Sequence, residues 1–129
     1  MKKKVQPCVV KSEDLEPVEL AGGMWKDFIV PNITSNEHVA ICTVEMRPGR
    51  WLYTHYHTVE ECYFILKGKL LVELDGETKE VPEGSAVYIP PGVKHRFRCY
   101  DNNPTTVLVV IADKNWLYEG PYINSYKVS

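Results

Sequence analysis

No stretch of this chain is long and apolar enough to cross a bilayer; nothing approaches the ~20 consecutive apolar residues that a membrane helix needs. The start, Met1-Lys2-Lys3-Lys4, is basic like the opening of a secretory leader. The apolar run that should follow is cut short by Lys11-Ser12-Glu13-Asp14. An excess of one charge is also lacking. Fifteen Lys and Arg against 17 Asp and Glu leave a formal net charge of -2, which gives no electrostatic reason to expect nucleic acid or an anionic membrane as partner. The four cysteines, Cys8, Cys42, Cys62 and Cys99, are widely separated and form no CxxC pair. They read as reduced thiols of a cytoplasmic protein, with a Cys62–Cys99 bridge as the competing reading. Repeats and low-complexity segments are absent. What remains is an ordinary single domain of 129 residues, 44% hydrophobic and 25% charged.

Nine prolines and eight glycines are spread along the chain, as short strands joined by turns require. Residues 1 to 22 are polar and weakly patterned, and only 12–20 and the tail near Trp116 have any helical character. Met24–Val30 reads as a strand closed by Pro31-Asn32, and Ala40–Met46 as a second before Pro48-Gly49. Strands are then expected at 51–57, 61–66, 69–74, 77–81, 85–89, 94–100 and 105–112. Asp75-Gly76 supplies a two-residue hairpin turn. The pattern predicts an all-β fold of two antiparallel sheets. An N-terminal extension (1–39) would precede a barrel (40–112) and a packed tail (113–129).

Residues two apart in a strand share a face. His55 and His57 therefore point the same way, as do Glu61 and Tyr63, and as do His95, Phe97 and Cys99. Three imidazoles and a carboxylate thus lie on faces that also carry apolar and aromatic side chains. If those faces are interior, something must satisfy the polar groups. One divalent transition-metal ion (Fe, Mn, Ni or Zn) is the economical answer, because neutral imidazole and carboxylate are ordinary ligands for it. His55, His57, Glu61 and His95 are the expected ligands. Four protein ligands leave up to two octahedral positions for substrate or water. Glu60, one residue earlier than Glu61, should face the opposite way. His38 is expected on the surface, and Arg96 and Arg98, which alternate with His95, should point outward.

At these residues the chain resembles the cupin superfamily. Gly49, His55-Tyr56-His57, Glu61 and Gly68 stand at the spacing of the first cupin motif, and Gly84, Pro90-Pro91-Gly92 and His95 at that of the second. One position departs: Cys99 stands where the family usually has Asn, a residue that is not a ligand there. The resemblance covers roughly residues 40 to 111 and implies a jelly-roll barrel. Its sugar-nucleotide epimerases usually lack a full ligand set, so the four ligands here argue against that branch. The chain is also similar to the small cupin-type dimethylsulfoniopropionate lyases. They share the ligand set, a tyrosine at the position of Tyr63, the Trp25-Lys26 strand, the local His55-Tyr56-His57 and a late tyrosine near Tyr122.

The resemblance leaves the reaction open, because one fold hosts many chemistries. The first expectation is a metal-dependent enzyme acting on a small organic acid, of lyase, isomerase or decarboxylase type. The ion would serve as Lewis acid and Tyr63 as the catalytic base. The alternatives are an Fe(II)-dependent dioxygenase and a small-molecule binding or sensor module. A homodimer is expected in which the Met24–Val30 strand pairs with a strand edge of a second copy.

Overall fold

The central strands alternate buried residues with exposed or half-buried ones, so each sheet keeps one face for a core between them. The structure, a computed structural model, describes residues 7–20, 22–49, 51, 54–113 and 125–127, with only the backbone of 20, 31, 32 and 125–127. Its strands are β1 (Val18–Leu20), β2 (Gly23–Ile29), β3 (Ala40–Met46), β4 (His55–His57), β5 (Glu61–Lys67) and β6 (Lys69–Leu74). They continue with β7 (Glu77–Pro82), β8 (Ala86–Ile89), β9 (His95–Cys99), β10 (Thr105–Ile111) and β11 (Ser125–Lys127). One α-helical turn, Pro31–Thr34, and a 3-10 turn, Ser12–Asp14, complete the described elements.

The strands form two antiparallel sheets, ordered β1-β2-β3-β10-β5-β8 and β11-β4-β9-β6-β7. Between them lie Trp25, Val44, Met46, Ile65, Leu70, Val72, Phe97 and Val107, all buried. Asp75-Gly76 makes the expected hairpin turn, with positive φ at both residues (49° and 82°), as the right-handed strand twist demands.

Register places the interior rows. Ala40, Ile111, Glu61 and Ile89 are cross-strand partners in one row, and Asp27, Cys42, Val109, Tyr63 and Val87 in the next. The metal expectation concerned this interior, and it is into this interior that Glu61 points.

The 12–20 segment, whose helical character in the sequence is weak, makes a 3-10 turn and then β1, which pairs with the first residues of β2. The strand expected at 51–57 is confined to His55–His57, with 52 and 53 outside the described residues. All four cysteines are free, as the reduced-thiol reading expects, and with Cys62 exposed and Cys99 buried the competing bridge does not form. The Met24–Val30 strand is found as β2 between β1 and β3 of its own sheet, where it was expected to pair with a second copy. Trp116 and Tyr122 lie outside the described residues.

Candidate metal centre

His55 and His57 come from β4, which the chain reaches just before it crosses from one sheet to the other through Thr58-Val59-Glu60. Alternation puts both rings inward and leaves Tyr56 between them on the other face. His95 is far from them in sequence. In space β9 is the immediate neighbour of β4, with His95 directly opposite His55. The Pro90-Pro91-Gly92 turn makes this join. Gly92, at φ 82°, donates its N–H to the His57 carbonyl at 2.7 Å, which ties the turn before β9 to β4. Glu61 opens β5 on the facing sheet, so the cluster bridges the two sheets.

The three imidazoles each place a ring nitrogen within 4.8 Å of the others, close enough to hold one metal ion. Ring centroids are 5.0 Å apart for His55 and His57, 4.2 Å for His55 and His95, and 5.3 Å for His57 and His95. All three rings and Glu61 are at most 3% exposed. The Glu61 Oε1 atom lies 3.4 Å from Nε2 of His57 and 3.1 Å from Nε2 of His95.

The donor set passes a direct test. His95 Nδ1 is 2.8 Å from the Val93 carbonyl, and because a carbonyl only accepts, the ring proton sits on Nδ1. A neutral imidazole then has its lone pair on Nε2, aimed at a carboxylate oxygen 3.1 Å away. Nε2 of His95 is buried and makes no hydrogen bond among the described residues. Two electron-rich atoms in that position need a proton or a cation between them. Holding a ligating imidazole by its far nitrogen is how metal sites fix tautomer and ring orientation. Protons can play that part too. Burial opposes ionisation of Glu61, but the His57 and His95 imidazoles outweigh it and hold its pKa at about 2, below the usual 4.5.

Tyr63 follows Glu61 on the same face, 3% exposed and edge-on to Phe97 at 5.1 Å between ring centroids. Its hydroxyl donates to Glu61 Oε1 at 3.1 Å. By strand rise the side chain should sit one residue pair deeper, about 7 Å along; the ring leans back far enough to reach the carboxylate. Glu60 is exposed and accepts a hydrogen bond from Tyr88, as its parity predicts. His38 is exposed. Arg96 and Arg98 lie half-buried on the outer face with their guanidinium carbons 4.4 and 5.2 Å from the Trp51 ring centroid, and Arg96 pairs with Glu73 at 3.0 Å.

Two participants escape the sequence reading. The Val93 carbonyl is backbone, and no side-chain pattern announces it. Asp27 shares the interior row of Cys42 and Tyr63, and its carboxyl pKa is raised by burial. The Cys42 thiol is pushed well above its ordinary value by burial, then by the charges of Asp27 and Glu61. Strand parity could have placed Asp27, because it is two residues from the buried Trp25.

A profile of the cupin domain family matches residues 42–111. The polyketide synthase protein CurC of Streptomyces cyaneus is 33% identical over 74% of this chain and 62% of its own length. The dimethylsulfoniopropionate lyase DddW of Ruegeria pomeroyi is 32% identical over 64% of this chain and 59% of its own length. Among solved structures, an oxalate decarboxylase of Bacillus subtilis superposes with a TM-score of 0.74 at 20% identity. That superposition covers 96% of this chain and 34% of the decarboxylase. The chain therefore spans about three-fifths of these two relatives and a third of that enzyme.

Proposed function

The chain belongs to the cupin domain family, and from that premise we propose a metal-dependent enzyme that acts on a small organic acid or related metabolite. One divalent ion, Fe, Mn, Ni or Zn, would be held by His55, His57, His95 and Glu61. The observation that carries this reading is the buried Nε2 of His95, fixed by Val93 and facing the Glu61 carboxylate. When bound, the ion supplies a Lewis acid for a substrate carboxylate or carbonyl. The chain's own residues do the rest. Val93 fixes the His95 ring, and Tyr63 fixes the Glu61 carboxylate by donating to it. The phenol is also a proton-bearing group at the cluster, so Tyr63 is the residue proposed to handle the substrate proton. The similarity to DddW, a dimethylsulfoniopropionate lyase, supports the substrate class and the lyase type.

The test is elemental analysis of protein purified without chelating resin, then turnover of small carboxylates with and without oxygen. Loss of a carboxylate-bearing substrate under anaerobic conditions supports the reading. Oxygen consumption in step with substrate would move it to a dioxygenase. Stoichiometric metal and tight ligand binding with no turnover would leave a binding module.

A further inference from the structure

We propose that Trp51 is a positioning residue for the metal centre: stacked on Arg96 and Arg98 of β9, it holds β4 against that strand and so sets where His55 and His57 meet His95. This rests on the metal-centre reading and deepens it, and the metal-free arm of its test is independent of that reading.

β4 brings two of the three imidazoles, yet its own ladder does little to place them. It has three residues and a single register pair with β9, His55 with His95. One pair leaves a strand free to tilt or slip, and a slip of one residue would turn both rings out of the barrel. Two further contacts remove this freedom, one at each end, and both lead to β9. At the last residue of β4, the His57 carbonyl accepts the N–H of Gly92, in the turn before β9, at 2.7 Å. Ahead of the first residue stands Trp51, with the guanidinium carbons of Arg96 and Arg98 4.4 and 5.2 Å from its ring centroid.

Trp51 is not where strand alternation alone would put it. It stands an even number of residues before His55, so an unbroken strand would turn its indole inward with that histidine. The ring instead lies against Arg96 and Arg98, which point outward because they alternate with the buried His95, Phe97 and Cys99. Trp51 and His55 therefore stand on opposite faces of the sheet, and the stack is what favours that departure. Both arginines are half-buried. The Nε atom of each is buried and makes no hydrogen bond among the described residues, so the electron-rich face of the indole is the contact that compensates that edge. Arg96 is fixed in its turn, since it donates to Glu73, its register partner on β6, at 3.0 Å. A continuous series of contacts thus runs from β6 through β9 and Trp51 to the start of β4. It ends at the His55 ring, whose centroid lies 4.2 Å from that of His95.

The experiment pairs Co(II) titration of the full chain with amide hydrogen exchange of the metal-free protein. In Trp51→Ala the β4 amides should exchange faster while those of β6 keep their wild-type rates. Co(II) should bind ~10-fold or more weakly, with an altered visible spectrum at saturation, because the supports of a ligand set tune both its affinity and its geometry. Trp51→Phe keeps a ring on the arginines and should restore most of both. Arg98→Gln leaves the indole and the Arg96–Glu73 pair in place, and should move the same quantities less far should the alanine variant fold poorly. Val81→Ala, in the core under β7, is the control for lost stability: it should melt lower with Co(II) affinity and spectrum unchanged. Wild-type affinity and spectrum in Trp51→Ala would overturn the proposal. So would a phenylalanine variant no better than alanine, or the same Co(II) changes in Val81→Ala, since stability alone would then account for them. A wild type that binds no Co(II) would refute the metal reading; faster β4 exchange in Trp51→Ala would still assign Trp51 the restraint of β4, and unchanged exchange would refute that as well.

Discussion

Glu61 is the residue on which the site turns. Its carboxylate is buried on the sheet facing the histidines, lies beside the Nε2 atoms of His57 and His95, and accepts the Tyr63 hydroxyl. Removing one member of such a group leaves the others without their counterpart, which costs more than the lost contact alone. His57→Ala should therefore lose most of the bound metal, and the substitution should lower stability by ~1–3 kcal/mol. His38→Ala, at an exposed position, should change neither. Equal metal content in the two variants by elemental analysis would dismiss the ligand assignment. Tyr63→Phe asks a narrower question, since it keeps the ring against Phe97 and removes only the donor to Glu61. If Tyr63 moves the substrate proton, turnover falls ~10²-fold or more while metal content holds. If it only orients Glu61, metal affinity weakens and turnover at saturating metal recovers. Comparing the two quantities in one variant separates chemistry from positioning.

At the scale of elements, β2 carries a testable conflict. Asp27 sits half-buried in the row of Cys42, and burial raises its pKa above the ordinary 3.8. A carboxyl whose folded pKa is raised favours the fold while it is protonated. That contribution is present below pH 3.8 and is lost as pH rises through the folded value. Asp27→Asn should therefore melt higher than wild type at pH 7, and the gap should close as pH falls below 4. A gap that persists in acid would mean that the amide gains a contact of its own. Asp27 also shows what alternation can and cannot reveal. Parity alone put Glu61 and Tyr63 on one face and Glu60 on the other, because a period of two leaves no freedom within a strand. Ala40–Met46 and the Asp75-Gly76 turn were legible for the same local reasons. β1 and β11 were not, because each has three residues, too few for a pattern, and takes its extension from its partner: β2, the next strand, for β1, and β4, far away in sequence, for β11. The neighbouring of β4 and β9 is likewise a fact of sheet order, which no local pattern encodes. Tyr63 was expected to act as the base. It donates to the metal-site carboxylate, and only the lean of a side chain in three dimensions decides that.

For the molecule as a whole, the cluster is a joint between two sheets that share no ladder of backbone hydrogen bonds across the core. Two of the proposed ligands stand on β4, a strand of three residues that meets β9 in a single register pair, His55 with His95. Its backbone is held in that sheet by little else beyond β11 and the Gly92 turn. Glu61 belongs to the better-anchored β5, paired along most of its length with β10 and over its first four residues with β8. An ion held by His55, His57, His95 and Glu61 would bind the folded arrangement and not the unfolded chain, and so it would stabilise the fold by mass action. At a free metal concentration a hundred times the Kd, that linkage is worth ~2.7 kcal/mol. For a domain of this length such a gain raises Tm by about 10 °C. Calorimetry of metal-loaded and chelator-treated protein should show that shift for the wild type and little of it for His57→Ala. Hydrogen exchange should show the added protection concentrated in β4, which meets its own sheet through one register pair with β9 and three with β11. A shift of equal size in His57→Ala would place the ion elsewhere on the molecule. Protection spread evenly over both sheets would mean that β4 is already held without the ion.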